Sequence, residues 1–162
     1  MGRQDAPLTL VEYGDYECPH CASARAAVKQ VQEQFGDILR FVFRNFPLTQ
    51  IHPEAESAAE TAEFAASQGK FWQMHDLLFD NQKSLGQSFY DKLASELGMD
   101  QAALHKTLLE KTYSEHVRAD FSGGVRSGVN GTPTFFMNDQ RYDGPVDSSS
   151  MIGALNAVLA PG

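Results

Sequence analysis

The chain contains two cysteines, and they lie only two residues apart in the segment Cys18-Pro19-His20-Cys21. Thiols at this spacing can form a disulfide with each other, and a thiolate can attack the disulfide of another molecule. Two cysteines are too few for the disulfide framework of a small secreted domain, and a chain of 162 residues can bury enough surface to fold without one. The spacing therefore indicates redox chemistry, with a purely structural disulfide as the weaker alternative.

The residues on either side of the pair predict a strand followed by a helix. Leu8–Tyr13 is a short apolar run bounded by proline and glycine, which is typical of a buried strand. Ala22–Phe35 has apolar residues at helical spacing and ends before Gly36, a common stop signal. Pro19 suits the first turn of that helix, because its missing N–H is not needed there. Cys18 is therefore expected at the N-terminus of a helix that follows a strand.

This position predicts different roles for the two cysteines. Unpaired N–H groups and the positive end of the helix dipole lower the pKa of a thiol at a helix start, so Cys18 is the expected nucleophile. Cys21, one turn further along, would resolve the mixed disulfide. His20 can add positive charge or a hydrogen bond to the Cys18 sulfur, which would make the disulfide more oxidising.

Glu12 is an acidic residue within the apolar strand Leu8–Tyr13, six residues before Cys18. A carboxylate is costly in such a strand unless it has a partner or a function. Glu12 is therefore predicted to be a buried acid that passes a proton to or from Cys21. A strand-end residue that faces solvent is the alternative.

The segment Gly131-Thr132-Pro133-Thr134 is a second candidate for the site. A proline at the start of a central strand would normally count against that strand. It fits if the Thr132–Pro133 peptide bond is cis and shapes a functional surface, in which case the backbone of Thr132 should lie close to the two sulfurs. An ordinary loop proline is the alternative.

A Cys-x-x-Cys pair can also be half of a zinc site, with His20, His52 or His75 as further ligands. Structural zinc normally requires a second closely spaced pair of ligands, and the sequence contains none. His52, His75, His105 and His116 are instead predicted to be surface or helix-capping residues. The zinc site is therefore the less favoured interpretation.

The rest of the chain continues the alternation of strands and helices. Ile38–Phe46 is a predicted second strand that completes a β-α-β unit. Helices are then predicted over five stretches, Pro53–Ser67, Lys70–Asn81, Ser88–Leu97, Asp100–Leu109 and Tyr113–Ser127. The strands Thr134–Met137 and Gln140–Tyr142 follow as a hairpin, and a last helix, capped by Ser148, extends through Leu159.

This order predicts an α/β fold built around one sheet. Residues 1–47 and 113–162 are expected to form a discontinuous domain, because the strands before and after the helices need each other. Residues 48–112 are expected to be a helical insertion. Ten acidic residues and five lysines in that insertion indicate a solvated face.

Composition and charge exclude several classes of protein. A net charge of −8 and a pI near 5.0 argue against a nucleic-acid partner, since phosphate binding needs a basic patch. The apolar runs are too short for a membrane span. The first seven residues lack the apolar segment of a signal peptide, so the sequence as it stands predicts a cytoplasmic protein. A chain trimmed of its leader would instead belong to the periplasm or the cell envelope.

The sequence resembles the DsbA family of thioredoxin-fold proteins over nearly its whole length. The similarity is carried by residues 12–21, by the helical insertion after the second strand, and by residues 131–136, and the motif Cys-Pro-His-Cys is typical of DsbA-like members. The chain is most similar to the compact bacterial branch of the family. The resemblance implies a thioredoxin-like fold, with a central mixed sheet flanked by helices and an inserted helical subdomain.

The same resemblance implies a role for each candidate residue: Cys18 as nucleophile, Cys21 as buried resolving thiol, His20 as thiolate stabiliser, Glu12 as buried acid, Pro133 as the cis-proline facing the disulfide, and Thr132 as the residue whose backbone binds a substrate peptide like an added strand. One position departs from the family pattern, because Thr132 stands where DsbA itself typically has valine. This residue resembles the isomerase- and reductase-like relatives, so the direction of electron flow stays open.

The expected function is that of a protein-disulfide oxidoreductase acting on protein or peptide thiols and disulfides, with an unidentified redox partner. The redox-active Cys18–Cys21 disulfide should need no dissociable cofactor and no metal. The alternatives are a non-catalytic binding module, zinc-held or redox-inert, and a thioredoxin-like reductant or isomerase. A glutathione-linked reductase or transferase is disfavoured by the second cysteine, Cys21.

Overall fold

The computed structural model describes residues 1–160, and in this range four strands form one mixed sheet accompanied by seven α-helices. The strands are β1 Leu8–Gly14, β2 Leu39–Asn45, β3 Thr134–Met137 and β4 Gln140–Tyr142. The α-helices are α1 Pro19–Phe35, α2 Ala55–Ala66, α3 Phe71–Asp80, α4 Gln87–Glu96, α5 Gln101–Leu109, α6 Ser114–Arg126 and α7 Ser148–Leu159. The strand order is β2-β1-β3-β4, with β1 parallel to β2 and antiparallel to β3.

Alternation of buried and solvent-facing residues explains the two parallel strands, β1 and β2. In β2, Leu39, Phe41 and Phe43 are buried, while the residues between them are partly exposed. The predicted second strand is one residue too long at its start, because Ile38 belongs to a short 3-10 turn and is 42% exposed. β1 alternates in the same way, and Glu12 occupies one of its buried positions.

The buried side chains form two clusters. One lies between the sheet and the helices α1 and α7. The other is formed mainly by α2 to α6, and both cysteines, Tyr16 and Phe43 belong to it. The predicted insertion 48–112 therefore packs directly onto the Cys-x-x-Cys segment.

Two helices differ in detail from their predicted form. The N-cap of α7 is Asp147, whose carboxylate accepts a hydrogen bond from the N–H of Ser150 at 2.8 Å, so the predicted cap at Ser148 is wrong by one residue. Leu159, the last residue of α7, is 38% exposed. α6 is one residue shorter at each end than predicted and is continuous through Gly124, where a Cβ would lie only 2.8 Å from the Phe46 ring.

Within residues 1–160, no α-helix combines the length and the apolar character needed to cross a membrane.

Candidate redox active site

The topology brings three chain segments together at one edge of the sheet. Because β1 and β2 are parallel, their last residues, Gly14 and Asn45, are paired. Because β1 and β3 are antiparallel, Tyr13 near the end of β1 pairs with Thr134 at the start of β3. The segment that leads to the cysteines therefore shares this edge with the residues that follow β2 and those that precede β3.

The two cysteines lie at the start of α1. Cys18 is the N-cap residue, with extended backbone angles, and Cys21 lies in the first turn. Both are free thiols; Cys18 is 3% exposed and Cys21 is fully buried. The Thr132–Pro133 peptide bond is cis, and the Cys18 Sγ lies 3.6 Å from the carbonyl oxygen of Thr132. The structure thus brings the two predicted segments together.

The environment of the pair separates the two thiol pKa values. A hydrogen bond from the Cys21 thiol, together with the Thr132 side chain and the backbone N–H groups of Cys21 and His20, lowers the pKa of Cys18 to about 5 despite its burial. The same hydrogen bond, desolvation and the charge of Glu12 raise the pKa of Cys21 far above its usual range. At neutral pH Cys18 is therefore a thiolate and Cys21 a protonated thiol.

His20 and Thr132 approach the Cys18 sulfur in different ways. His20 lowers the pKa of Cys18 through its backbone N–H, while its side chain is exposed. The Thr132 hydroxyl is buried and has no hydrogen-bond partner among the described residues. A thiolate at Cys18 would supply that hydroxyl with an acceptor, which agrees with its lowering of the Cys18 pKa.

Glu12 is 2% exposed, so the alternative of a solvent-facing residue is wrong. Its Oε1 has no hydrogen-bond partner within residues 1–160. Desolvation raises the pKa of Glu12 to about 8; the positive charge of Arg25 opposes this rise, and the Cys18 thiolate adds to it. Near neutral pH the carboxyl can therefore both give and accept a proton.

Replacing Glu12 by glutamine should stabilise the protein at neutral pH. A folded-state pKa of about 8 against an ordinary 4.5 means that the stability contributed by Glu12 is complete below pH 4.5 and is lost as the pH rises through about 8. At pH 7 the variant should be more stable by roughly 3 kcal/mol, and the gain should vanish near pH 4. Urea unfolding of the wild type and the variant at both pH values measures this difference in the free energy of unfolding. Glu33→Gln, at an exposed position, is the matched control. An equal gain at both pH values would contradict a raised pKa.

Two residues that the sequence analysis missed fix the loop before Cys18. Asp15 is buried, and its carboxylate accepts hydrogen bonds from the backbone N–H groups of Glu17 and Leu48, both at 2.8 Å. Its Oδ2 also lies 2.8 Å from His52 Nδ1. Gln82 donates through Nε2 to the carbonyl oxygens of residues 16 and 18, both at 2.8 Å. These bonds tie the active-site loop to the helical segment.

His75 was predicted to be a surface or capping residue, and this prediction is wrong. Its side chain is buried, its Nδ1 lies 3.0 Å from the Tyr16 hydroxyl, and desolvation lowers its pKa to about 3. The ring is therefore neutral at physiological pH. Its spacing of four residues from both Phe71 and Phe79 placed it on the apolar face of α3 and could have indicated burial.

Two of the three histidines considered as zinc ligands have other partners, since His75 contacts Tyr16 and His52 contacts Asp15. A different group, Glu63, His116 and Asp120, places one ligand atom from each residue within 4.8 Å of the others. Its two carboxylates already accept hydrogen bonds from the Asn45 side-chain amide. Internal hydrogen bonds therefore account for this group.

A mixed sheet, a Cys-x-x-Cys segment at the start of the helix after β1 and a cis-proline before β3 define a thioredoxin-fold protein with a dithiol site. Solved structures agree. BdbD from Bacillus subtilis superposes with a TM-score of 0.90 at 24% identity, covering 98% of this chain and 91% of that chain. A thioredoxin-like oxidoreductase from Silicibacter pomeroyi DSS-3 gives 0.85 at 26% identity, covering 98% and 90%. The thioredoxin family model matches residues 1–157, and the chain belongs to this family.

Sequence relatives are found within much longer proteins. The Na(+)/H(+) antiporter NhaA 1 of Salinispora arenicola is 40% identical over 159 residues, which are 98% of this chain and 24% of the relative. NhaA 1 of Mycolicibacterium vanbaalenii is 43% identical over 158 residues, 96% of this chain and 26% of the relative. The chain thus spans about a quarter of the length of the curated relatives it matches.

Proposed function

We propose that the protein is a thiol–disulfide oxidoreductase that exchanges disulfides with protein substrates through Cys18 and Cys21. The observation that carries this proposal is the split between the two thiols, one ionised at the helix start and one protonated and buried behind it. A nucleophile and a resolving thiol need this difference. The thiolate attacks the substrate disulfide first, and the second thiol should react only after the mixed disulfide has formed.

We further propose that the preferred direction is oxidation of the substrate. A substrate thiolate attacks the Sγ of Cys18 in the enzyme disulfide, and the electron pair of the broken S–S bond passes to Cys21, which takes a proton. A second substrate thiolate then attacks the substrate sulfur, and Cys18 leaves as a thiolate. The low pKa of Cys18 supports this direction, because a stable thiolate is a good leaving group. An unidentified redox partner would reoxidise the dithiol.

We assign the substrate-binding role to the backbone at Thr132 and Pro133. The Thr132 carbonyl lies beside the Cys18 Sγ, and β3 begins only at Thr134, so the preceding residues are free of ladder pairing with β1. An extended substrate segment could add to this backbone as a strand while its sulfur meets Cys18.

The solved neighbours support the general activity, since one is named a thioredoxin-like oxidoreductase and another, MdbA from Corynebacterium diphtheriae, a thiol-disulfide oxidoreductase. The antiporter names belong to relatives about four times as long as this chain. We therefore propose thiol–disulfide exchange, not ion transport, as the activity of this chain, which corresponds to about a quarter of each relative.

Reduction of insulin by dithiothreitol tests the proposal, with the double variant Cys18→Ser/Cys21→Ser as control. The wild type should shorten the delay before insulin precipitates, and the double variant should not. Equal delays for the two proteins would contradict the proposal. Stoichiometric metal that is released when the thiols are alkylated would instead favour the zinc-held binding module.

A further inference from the structure

A small cavity of about 50 Å³ lies beside the buried acid, and Glu12, Arg25, His75 and Asp76 are among its lining residues. It is bounded by β1, α1 and α3, so it joins the sheet to the helical segment. A space of this size can hold water where polar groups offer hydrogen bonds. Its lining includes both the buried Glu12 and Asp76, whose side chain is 47% exposed.

Arg25 is held at this cavity by contacts from α3. It follows Cys21 by four residues, so the two share one face of α1. Its Nη2 lies 2.6 Å from Asp76 Oδ1, its Nη1 bonds Asp80, and its guanidinium carbon lies 5.5 Å from the centre of the Phe79 ring. The Arg25 side chain is only 13% exposed, so its charge is poorly screened by solvent.

We propose that Arg25 is a positioning residue for the redox reaction: its guanidinium, fixed by Asp76 and Asp80, controls the protonation of Glu12 and so the step in which Cys21 gains or loses its proton. The helical segment between β2 and β3 would thereby adjust the chemistry of the cysteine pair. This inference rests on the proposed function, and it adds a residue outside the Cys-x-x-Cys motif to the proton pathway.

Several charged or titratable groups lie near Glu12 and act on it to different extents. Arg25 is the strongest influence that favours the Glu12 carboxylate, and the Cys18 thiolate opposes it. From α3, His75 is neutral because its pKa is about 3, and Asp76 is paired with Arg25. Two further groups line or adjoin the cavity: Lys29 on α1, 54% exposed and 3.9 Å from Asp76, and the N-terminal ammonium, which donates to the Phe41 carbonyl at 2.7 Å. Arg25 is thus the buried charge that most affects Glu12.

The proton balance gives the expected effect. When the dithiol reduces a substrate, the Cys21 thiol transfers its proton to the Glu12 carboxylate, and its sulfur attacks Cys18 Sγ in the mixed disulfide while the substrate leaves as a thiolate. Glu12 then releases the proton to solvent through the cavity. Without the positive charge of Arg25, the pKa of Glu12 should rise above about 8, and fewer molecules would hold the carboxylate needed for this step.

The experiment measures mixed-disulfide formation and its resolution separately, in single-turnover reactions across a range of pH. Arg25→Met keeps the aliphatic stem over Phe79 and removes the charge. Its resolution step should be about tenfold slower at pH 7, and its pH midpoint should move upward by about one unit. The titration of the Cys18 thiolate, followed by ultraviolet absorbance, should stay unchanged. Arg25→Lys should restore most of the rate.

Lys29→Met is the matched control, because it removes a more exposed charge from the same helix. It should leave the pH dependence of the resolution rate unchanged. Arg25→Gln replaces Arg25→Met should the latter fail to fold. A resolution profile that superposes on the wild-type profile, or an equal rate loss at every pH, would overturn the inference and leave the proposed function intact. Absence of exchange in the wild type would overturn the proposed function itself.

Discussion

Serine in place of Cys18 should abolish disulfide exchange, whereas serine in place of Cys21 should leave the first attack intact and accumulate mixed disulfides. Only Cys18 is ionised at neutral pH, with a pKa of about 5, while the pKa of Cys21 is raised by its hydrogen bond to Cys18 and by burial. Without Cys21 no second thiol can release the bound substrate. Non-reducing electrophoresis with a disulfide-containing protein substrate measures both outcomes.

Alkylation of the native reduced protein gives an independent test of this assignment. Iodoacetamide reacts with thiolates, so Cys18 should be labelled first and Cys21 only after unfolding. The control is the denatured protein, in which both thiols should react at similar rates. Faster labelling of Cys21 in the native protein would show that the two roles are reversed.

The fold and the core of the site could be predicted because their signals are local. The apolar run of β1, the helical spacing in α1 and the proline before β3 each lie within a few residues of the feature that they indicate. Predicted helix and strand ends were accurate to one or two residues, and α1 begins at Pro19 with Cys18 as its N-cap, as its sequence indicated. Cys18 and Thr132 are 114 positions apart, yet they could be linked because each belongs to a recognisable segment.

The residues that support the site could not be predicted, because their roles come from contacts between distant elements. The residues next to Arg25 in the sequence do not indicate a role for it. Its side chain is held by two acidic residues of α3 that lie 51 and 55 positions away. Asp15 and Gln82 likewise act on backbone groups brought near by folding. The interpretation of the insertion's acidic residues as a solvated face also failed at Glu60, which is buried with its Oε1 3.5 Å from Lys111 Nζ.

The reduced protein should be more stable than the oxidised protein near neutral pH, and this order should reverse in acid. The pKa of Cys18 is about 5 in the fold, against about 8.5 for an unstructured thiol. A lowered folded-state pKa contributes stability that is complete above the unfolded pKa and is lost as the pH falls through the folded value. At pH 7 the thiolate should therefore stabilise the reduced fold by roughly 2–3 kcal/mol.

The disulfide has an opposing effect of similar size. A bond between Cys18 and Cys21 closes a very short loop, and its constraint on the unfolded chain should stabilise the oxidised protein by about 2 kcal/mol. The thiolate contribution exceeds this value at pH 7 and falls below it in acid. The two stability curves should therefore cross at about pH 6.5. The same thiolate contribution should make the disulfide roughly 60 mV more oxidising at pH 7 than a disulfide with an unshifted thiol.

Paired denaturant unfolding of the reduced and oxidised proteins at several pH values, with thiolate absorbance followed in parallel, measures this crossing. The Cys18→Ser variant is the control, because it lacks the shifted thiol and its stability should lose the pH dependence assigned to the thiolate. An oxidised form that is clearly more stable at every pH, together with a Cys18 that titrates near its ordinary pKa, would contradict the prediction. The cysteine pair would then hold its disulfide tightly and donate electrons readily, as in a thioredoxin-like reductant, and electron flow would run opposite to the direction proposed for this protein.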